Sequence, residues 1–325
     1  MSVKKELLKI LEKNREMDLS GQELANKLHV SRTAVWKAMK ELREEGYQIN
    51  AVNNRGYRLA GENDILSEEG IRLALKNDVV KEIAVFQTLD STNLEVKRRA
   101  ALGAGEGLVV LTESQTAGRG RRGRSFCSPP GTGIYVSILL EPKLLAEAAI
   151  LLTTAAAVAV ARAIRKVTEL EPTIKWVNDI FLKDKKICGI LAEAMTDVES
   201  GTIQNIILGI GINYKEPEGG FPEGVKEVAG ALTEGSVKIP RNELAAAVLD
   251  EFFFIYKQLP DRSFLEDYRS WSNVIGHEIK YMEKEVWNFA KALGVDEDGG
   301  LIVENETGEV HVLKTGEITL RRLEG

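Results

Sequence analysis

The sequence predicts an α+β protein of several domains: a winged helix-turn-helix over residues 1–62, a central mixed, largely antiparallel sheet with helices over 63–272, and a small β-barrel over 273–325. Three observations carry this reading. Charge is uneven, because residues 1–60 hold 12 Lys/Arg against eight Asp/Glu while the rest of the chain holds 31 against 41. A basic head on an acidic body marks the head as the part that meets nucleic acid. From Ile65 to Trp271 short apolar strands alternate with helices, mostly at hairpin-length gaps, which argues for antiparallel pairing. After Val274, short alternating runs are broken by glycine turns. With 325 residues, 44% apolar and 28% charged, the chain has ample length for a real core.

In the head, Leu7, Leu8 and Leu11 share one face of a first helix. Ser20 with Glu23 three residues later has capping-box spacing and opens a second helix over about Gln22–Lys27. Ser31 caps a third, which turns Val35, Ala38, Met39 and Leu42 inward and presents Arg32, Thr33, Trp36, Lys37 and Lys40. Two short helices, a tight turn and a basic outer face fit helix-turn-helix geometry. Two strands around Asn53-Asn54-Arg55-Gly56 add a wing, with Arg55 and Arg58 positioned for phosphate. The expected contacts with operator DNA are therefore Ser31, Arg32, Thr33, Trp36, Lys37, Lys40, Arg55 and Arg58. Modules of this kind read paired half-sites, so a homodimer is expected. A small dimerisation or docking domain is the competing reading of the head.

In the body, Ile83–Phe86 is a strand leading to the polar turn Asp90-Ser91-Thr92-Asn93, which caps a helix beginning near Leu94. Leu108–Thr112 is a second strand, emptying into Gln115-Thr-Ala-Gly-Arg-Gly-Arg-Arg-Gly-Arg-Ser-Phe126. Four arginines alternating with three glycines cannot make a stable helix, and the pattern is not that of a half-buried strand. It reads as a mobile cationic loop whose glycines let backbone approach a ligand, with arginines suited to phosphate and carboxylate. A solvated basic loop or nucleic-acid patch is the plainer reading. Gly133–Leu140 is a third strand, followed by an alanine-rich buried helix over Ala148–Ile164. Ile174–Phe181 reads as a fourth strand with Asn178-Asp179 embedded, Lys185–Glu193 as a fifth and Ile206–Asn213 as a sixth.

Cys127 and Cys188, with the scattered His29, His277 and His311, have no metal-ligand spacing, so no metal ligands are expected. The amino-terminal stretch is amphipathic without a signal-peptide core, and Ala148–Ile164 is too short and too polar to span a bilayer, so a cytoplasmic protein without membrane attachment is expected. In the tail, Ile279, Tyr281, Val286, Phe289, Leu301, Val303, Val310 and Val312 form the alternating set, with turns at Asp298-Gly299-Gly300, Thr307-Gly308 and Thr315-Gly316.

Ser-Thr-Asn, the arginine–glycine run, Lys-Trp-x-Asn-Asp, Lys-x-x-Gly-Ile-Leu and Gly-Ile-Gly-Ile-Asn, in that order, resemble a biotin protein ligase. With a winged helix in front, essentially the whole chain resembles the two-function form that also represses biotin operons. The resemblance implies a class II synthetase-like central domain and an SH3-like tail. It also implies ATP and Mg²⁺, biotin as substrate, and transfer through biotinyl-5′-adenylate to a lysine of a carboxylase's biotin carboxyl carrier domain. Residue by residue, it implies biotin binding by Ser91, Thr92, Asn93, Gln115, Arg119, Gly120, Arg121 and Lys186. Adenylate or ATP falls to Gly118, Arg119, Arg121, Arg124, Asn178 and Asn213. Catalysis falls to Arg121, Lys186 and Asp179, the last as base or as orienting charge. Bound biotinyl-adenylate is expected to order loops at a dimer interface and raise DNA affinity.

Taken singly, these residues have plainer readings: Ser91–Asn93 as a helix cap, Asn178-Asp179 as a turn, Lys185-Lys186 as surface charge, Gly209 and Gly211 as close packing, Trp176 as core. Two departures from the family pattern touch affinity, since Val177 stands at a usual proline and Phe126 at a usual tryptophan. The rival functions are a lipoate or octanoate carrier-protein ligase, a ligand-sensing regulator without catalysis, and a ligase whose winged helix no longer represses.

Overall fold

A computed structural model describes residues 2–15, 17–52, 55–61, 63–142, 148–196, 203–233, 239–283 and 286–320. The chain forms two compact units, one of residues up to Lys76 with Pro240–Ala246, the other of Asn77–Ile239 with Ala247 onward.

In the first unit, α1 (Val3–Lys13) starts where the Ser2 hydroxyl accepts the Lys5 N–H. The reciprocal Ser20–Glu23 capping box opens α2 (Gly21–Leu28), and His29 in the left-handed region ends it. Ser31 accepts the Ala34 N–H and opens α3 (Arg32–Glu44). Leu7, Leu11, Leu24, Met39 and Leu42 from the three helices meet in one core. Strands β1 (Ile49–Val52) and β2 (Gly56–Leu59) pair antiparallel as the wing, and α4 (Glu68–Ala74) follows. The Asn53-Asn54 part of the expected wing turn lies outside the described residues. Leu19 and Tyr57 exchange two backbone hydrogen bonds of 2.9 and 2.8 Å, binding the wing to the segment before α2. That approach requires glycine at 56: its φ is +121°, and an added Cβ would overlap the Leu19 carbonyl. Gly56→Ala is expected to cost about 2 kcal/mol or more in urea denaturation, while Gly61→Ala, with nothing within 4 Å of the new Cβ, stays near wild type.

The second unit is built on a seven-stranded sheet of β3 (Glu82–Leu89), β4 (Leu108–Gln115), β5 (Gly133–Leu140), β6 (Thr173–Lys175), β7 (Asp179–Leu182), β8 (Lys185–Thr196) and β9 (Ile203–Asn213). Their order is β3-β4-β5-β9-β8-β7-β6. Only β3 and β4 are parallel, joined through α5 (Thr92–Ala101); every other pairing is antiparallel. Helix α6 (Ala148–Val167) is buried along Ala155–Ala161, its alanines permitting close contact, and α7 (Arg241–Lys257) and α8 (Phe264–Ser270) complete the helices. No helix among the described residues is long and apolar enough to cross a membrane.

Two expectations for this sheet are corrected. Ile174–Phe181 is not one strand but the β6–β7 hairpin, reversing at Trp176–Asn178 so that Lys175 pairs with Asp179. The continuous apolar run conceals this, because Trp176 and Val177 in the turn are themselves buried. Helix α5 begins at Thr92, so Asn93 lies inside it and does not cap a turn before Leu94.

The tail is a five-stranded antiparallel sheet of the small SH3-like kind, in order β13-β12-β11-β10-β14. Its strands are β10 (Glu278–Glu283), β11 (Val286–Val295), β12 (Leu301–Asn305), β13 (Val310–Leu313) and β14 (Ile318–Leu320). Ile279, Tyr281, Leu301 and Val303 point into its core, but Val286, Phe289, Val310 and Val312 are exposed. The alternation is real, yet Phe289, Val310 and Val312 stand on the outer side of the pleat, and Val286, on the Ala290 side, is exposed at the end of its strand.

Candidate active site

A cavity of about 740 Å³ opens in the second unit. It collects residues from the β3–α5 turn, the loop after β4, the β6–β7 turn, β8, β9 and β14. Among the expected ligand-binding and catalytic residues, Ser91, Thr92, Asn93, Gln115, Arg119, Gly120, Arg121, Arg124, Asn178, Asp179, Lys186 and Asn213 line it. Gly118 does not; its carbonyl accepts the Phe126 N–H at 2.9 Å, and a Cβ there would overlap the Phe126 carbonyl.

One set of lining residues is neutral and hydrogen-bonding. Gln115 Oε1 accepts the Thr92 N–H at 2.9 Å, and its Nε2 donates to Ser128 Oγ at 2.8 Å. Ser91 heads α5 without a side-chain capping bond, which leaves the plain helix-cap reading without its hydrogen bond. Phe126 forms an aromatic wall with Tyr135, ring centres 6.3 Å apart and edge to face. The floor is bare backbone at Gly189, Gly209 and Gly211. A Cβ at Gly211 would lie 2.6 Å from the Phe126 ring, one at Gly189 3.3 Å from it, and one at Gly209 would overlap Asn93 Oδ1.

A second set is cationic. The arginine–glycine run forms a tight hairpin, with the Gly120 N–H donating to the Arg124 carbonyl at 2.7 Å and Arg122 and Gly123 at positive φ. Arg121 donates to Asn178 Oδ1 at 3.0 Å. Burial pulls its guanidinium below the ordinary arginine range, and the charge of Asp179 opposes that shift. Arg122 and Arg124 both ion-pair with Glu317 of the tail. The Lys186 ammonium sits 2.7 Å from Asp179 Oδ1. A bulge between Ile180 and Phe181 sets Lys186 opposite Phe181, re-aiming it relative to a regular ladder. Asn178 donates to the Ile190 carbonyl and Asn213 to the Gly230 carbonyl, both at 3.0 Å.

Several residues in or behind the cavity wall escape sequence reasoning. Lys175 joins the cationic set, its ammonium lowered by burial. Ser137 of β5 is fully buried beneath Thr92 and Asn93, signalled only as one hydroxyl in an apolar strand. Glu193 of β8 accepts from Asn93 Nδ2 at 2.6 Å, with no motif to mark it. Cys127 and Cys188 are free thiols. Among the described residues, no three His, Cys, Asp or Glu cluster as metal ligands.

In the first unit, Arg32, Thr33, Trp36, Lys37 and Lys40 are all exposed along α3, beside Ser31 at its cap. Arg55 is exposed at the wing turn, whereas Arg58 faces Asp18 at 3.5 Å and is partly neutralised.

Comparison with known proteins agrees with this division. An HTH domain model matches residues 3–58, and a model of the biotin/lipoate A/B protein ligase family matches residues 83–213. The bifunctional ligase/repressor BirA of Bacillus spizizenii is 35% identical over 94% of this chain and 95% of its own. That of Escherichia coli is 30% identical over 94% of each. The structure of biotin protein ligase from Aquifex aeolicus in complex with biotin and ATP superposes with a TM-score of 0.63 at 30% identity, covering 74% of this chain and 99% of that one.

Proposed function

The chain belongs to the family of bifunctional biotin protein ligases and repressors, and from that premise we propose how its own residues carry both activities. It joins biotin to ATP, transfers biotin to a protein lysine, and represses transcription through its helix-turn-helix. The observation that carries the site assignment is that small hydrogen-bonding side chains (Ser91, Thr92, Gln115) and cations (Arg121, Lys175, Lys186) line one cavity. Biotin matches both sets, an apolar bicycle with a ureido group at one end and a carboxylate at the other.

Thr92, Gln115 and Ser91 hold the ureido group, and the Phe126–Tyr135 wall packs the bicycle. The biotin carboxylate oxygen attacks the α-phosphorus of ATP, the bond to the bridging oxygen breaks, and pyrophosphate leaves. Negative charge grows on the phosphoryl oxygens, where Lys186 and Arg121 stand as fixed cations, so positioning and electrostatics supply most of the acceleration. Arg119, Arg124, Asn178 and Asn213 complete the nucleotide side, with Gly118 acting through the loop's backbone, and Asn93 and Gly120 complete the biotin side. In the second step a carrier lysine amine attacks the anhydride carbonyl and AMP leaves. Asp179 receives or orients the amine's proton at its carboxylate. The closed loop keeps water from the anhydride.

Mg²⁺ neutralises part of the triphosphate's charge when bound. The donor set fits an ion carried in by the nucleotide, because Asp179 and Glu317 at the cavity already face Lys186 and Arg124. The natural acceptor is the carrier domain of a carboxylase, and the natural operator lies at biotin genes.

Transfer of labelled biotin to a carrier-domain lysine, with the purified chain and ATP–Mg²⁺, tests the reading. ATP-dependent labelling is expected; labelling by lipoate or octanoate alone overturns it, and no labelling by the folded chain favours a regulator without catalysis. For repression, biotin plus ATP is expected to shift the monomer–dimer equilibrium in sedimentation toward the dimer. An unchanged equilibrium removes the coupling between ligand and DNA binding.

A further inference from the structure

One row of residues crosses five strands of the central sheet along the cavity wall. Tyr135 of β5 stands opposite Gly211 of β9, Gly211 opposite Gly189 of β8, Gly189 opposite Asp179 of β7, and Asp179 opposite Lys175 of β6. Residues so paired present their side chains on one face of a sheet, and all five line the cavity. Phe126 lies over the two glycines, 2.6 Å from the Cβ that Gly211 would carry and 3.3 Å from that of Gly189. The Lys186 ammonium comes next, 3.4 Å from the Cβ position of Gly189 and 2.7 Å from Asp179 Oδ1. Lys175 closes the row on the strand two places beyond β8, about 10 Å farther across the sheet. The row therefore runs from an apolar berth, past one ammonium, to a second.

The two lysines differ in what they face. Lys186 has Asp179, just as Arg119, Arg122 and Arg124 have Glu193 or Glu317. Among the described residues no carboxylate pairs with Lys175; its ammonium stands 5.7 Å over the Phe181 ring. A half-buried cation without a paired anion is costly, and a bound anion removes that cost. Its place on β6 is fixed, because the Ile174 N–H donates to the Trp271 carbonyl at 2.8 Å and the Asn273 N–H to the Ile174 carbonyl at 3.0 Å. In-line displacement puts the entering and leaving oxygens on opposite sides of phosphorus. With the bicycle over the glycines and its carboxylate at Lys186, the leaving oxygen points down the row toward Lys175.

We propose that Lys175 is a catalytic residue for the leaving group: its ammonium holds the β- and γ-phosphates of ATP and stabilises pyrophosphate as the bond from the α-phosphorus to the bridging oxygen breaks. That oxygen keeps the electron pair of the bond, so no proton has to move. Lys175 takes no part in the transfer step, when pyrophosphate has gone. The inference rests on the ligase reading and on the seat given to biotin.

The test separates the two half-reactions in the full chain. For Lys175→Met, single-turnover pyrophosphate release from biotin and ATP–Mg²⁺ is expected to slow about 10- to 100-fold. Transfer from supplied biotinyl-adenylate to a carrier domain should stay within about twofold of wild type. In the reverse direction, ATP formation from adenylate and pyrophosphate should need about tenfold more pyrophosphate for half its maximal rate. Lys175→Arg should restore part of the forward rate, since the charge remains. Lys175→Gln carries the same expectations as Lys175→Met and takes its place if methionine prevents folding. Damaged packing would slow both half-reactions together; that pattern, or a forward rate and pyrophosphate dependence like those of wild type, overturns the inference alone. A wild-type chain that releases no pyrophosphate with biotin overturns the ligase reading, and this inference with it.

Discussion

Replacing Lys186 with methionine is expected to slow adenylate formation by about 10²–10³-fold, with a smaller effect on biotin binding. The ammonium is held where charge develops, not merely displayed. Its backbone N–H donates to the Val228 carbonyl at 2.7 Å and its carbonyl accepts the Gly230 N–H at 2.9 Å, so the strand position is fixed on both sides. Asp179 sits 2.7 Å from the ammonium, with both side chains partly buried. Removing Lys186 therefore does two things: it deletes a cation and leaves an unpaired carboxylate facing an incoming triphosphate. Adding Asp179→Asn to Lys186→Met should recover part of the loss of the first step while doing nothing for transfer. Single-turnover pyrophosphate release measures the first step. A rate within tenfold of wild type for Lys186→Met would move the charge-stabilising role elsewhere.

Arg121→Gly is expected to speed escape of biotinyl-adenylate by about 10- to 100-fold, the weight of one charge-assisted hydrogen bond to a phosphate. Of the loop's four arginines, Arg122 and Arg124 are drawn to Glu317 and Arg119 faces Glu193, but Arg121 turns inward to Asn178. Burial makes its charge worth more there than on the surface. Glycine would also loosen a hairpin that is closed on itself by the Gly120 and Arg124 backbone bonds. A chase of preformed, labelled adenylate with excess unlabelled compound gives the rate directly. An unchanged rate would exclude Arg121 from the clamp.

Much of the architecture was legible because its signals are local. The capping box at Ser20–Glu23, the inward set Val35–Leu42 and the strand–loop–strand succession from Leu108 to Leu140 need only neighbours in sequence to be read. The β6–β7 reversal was not legible, because its turn residues Trp176 and Val177 are apolar and buried, and the indole finds its partner at Gly299, 123 residues away. Which face of the tail is covered was not legible either, because period-two alternation marks two faces without naming the covered one. For the site, the charged and small polar groups stood in motifs. The groups behind them, Ser137 and Glu193, come from separate strands and both reach Asn93 only through the β5–β9–β8 order. The displacement of Lys186 by a bulge likewise follows from pairing, not from residue type.

The glycine floor sets a direction for how this cavity can change. Gly189, Gly209 and Gly211 already carry the least a residue can carry, so every substitution there adds atoms against Phe126, Lys186 or Asn93. On that side drift can only narrow the chamber, toward slimmer acids or none. Admitting a bulkier acid demands trimming the opposite side, at Phe126 or Tyr135. Selectivity is thus adjustable from one wall alone, and variants with broadened acid tolerance are to be sought there.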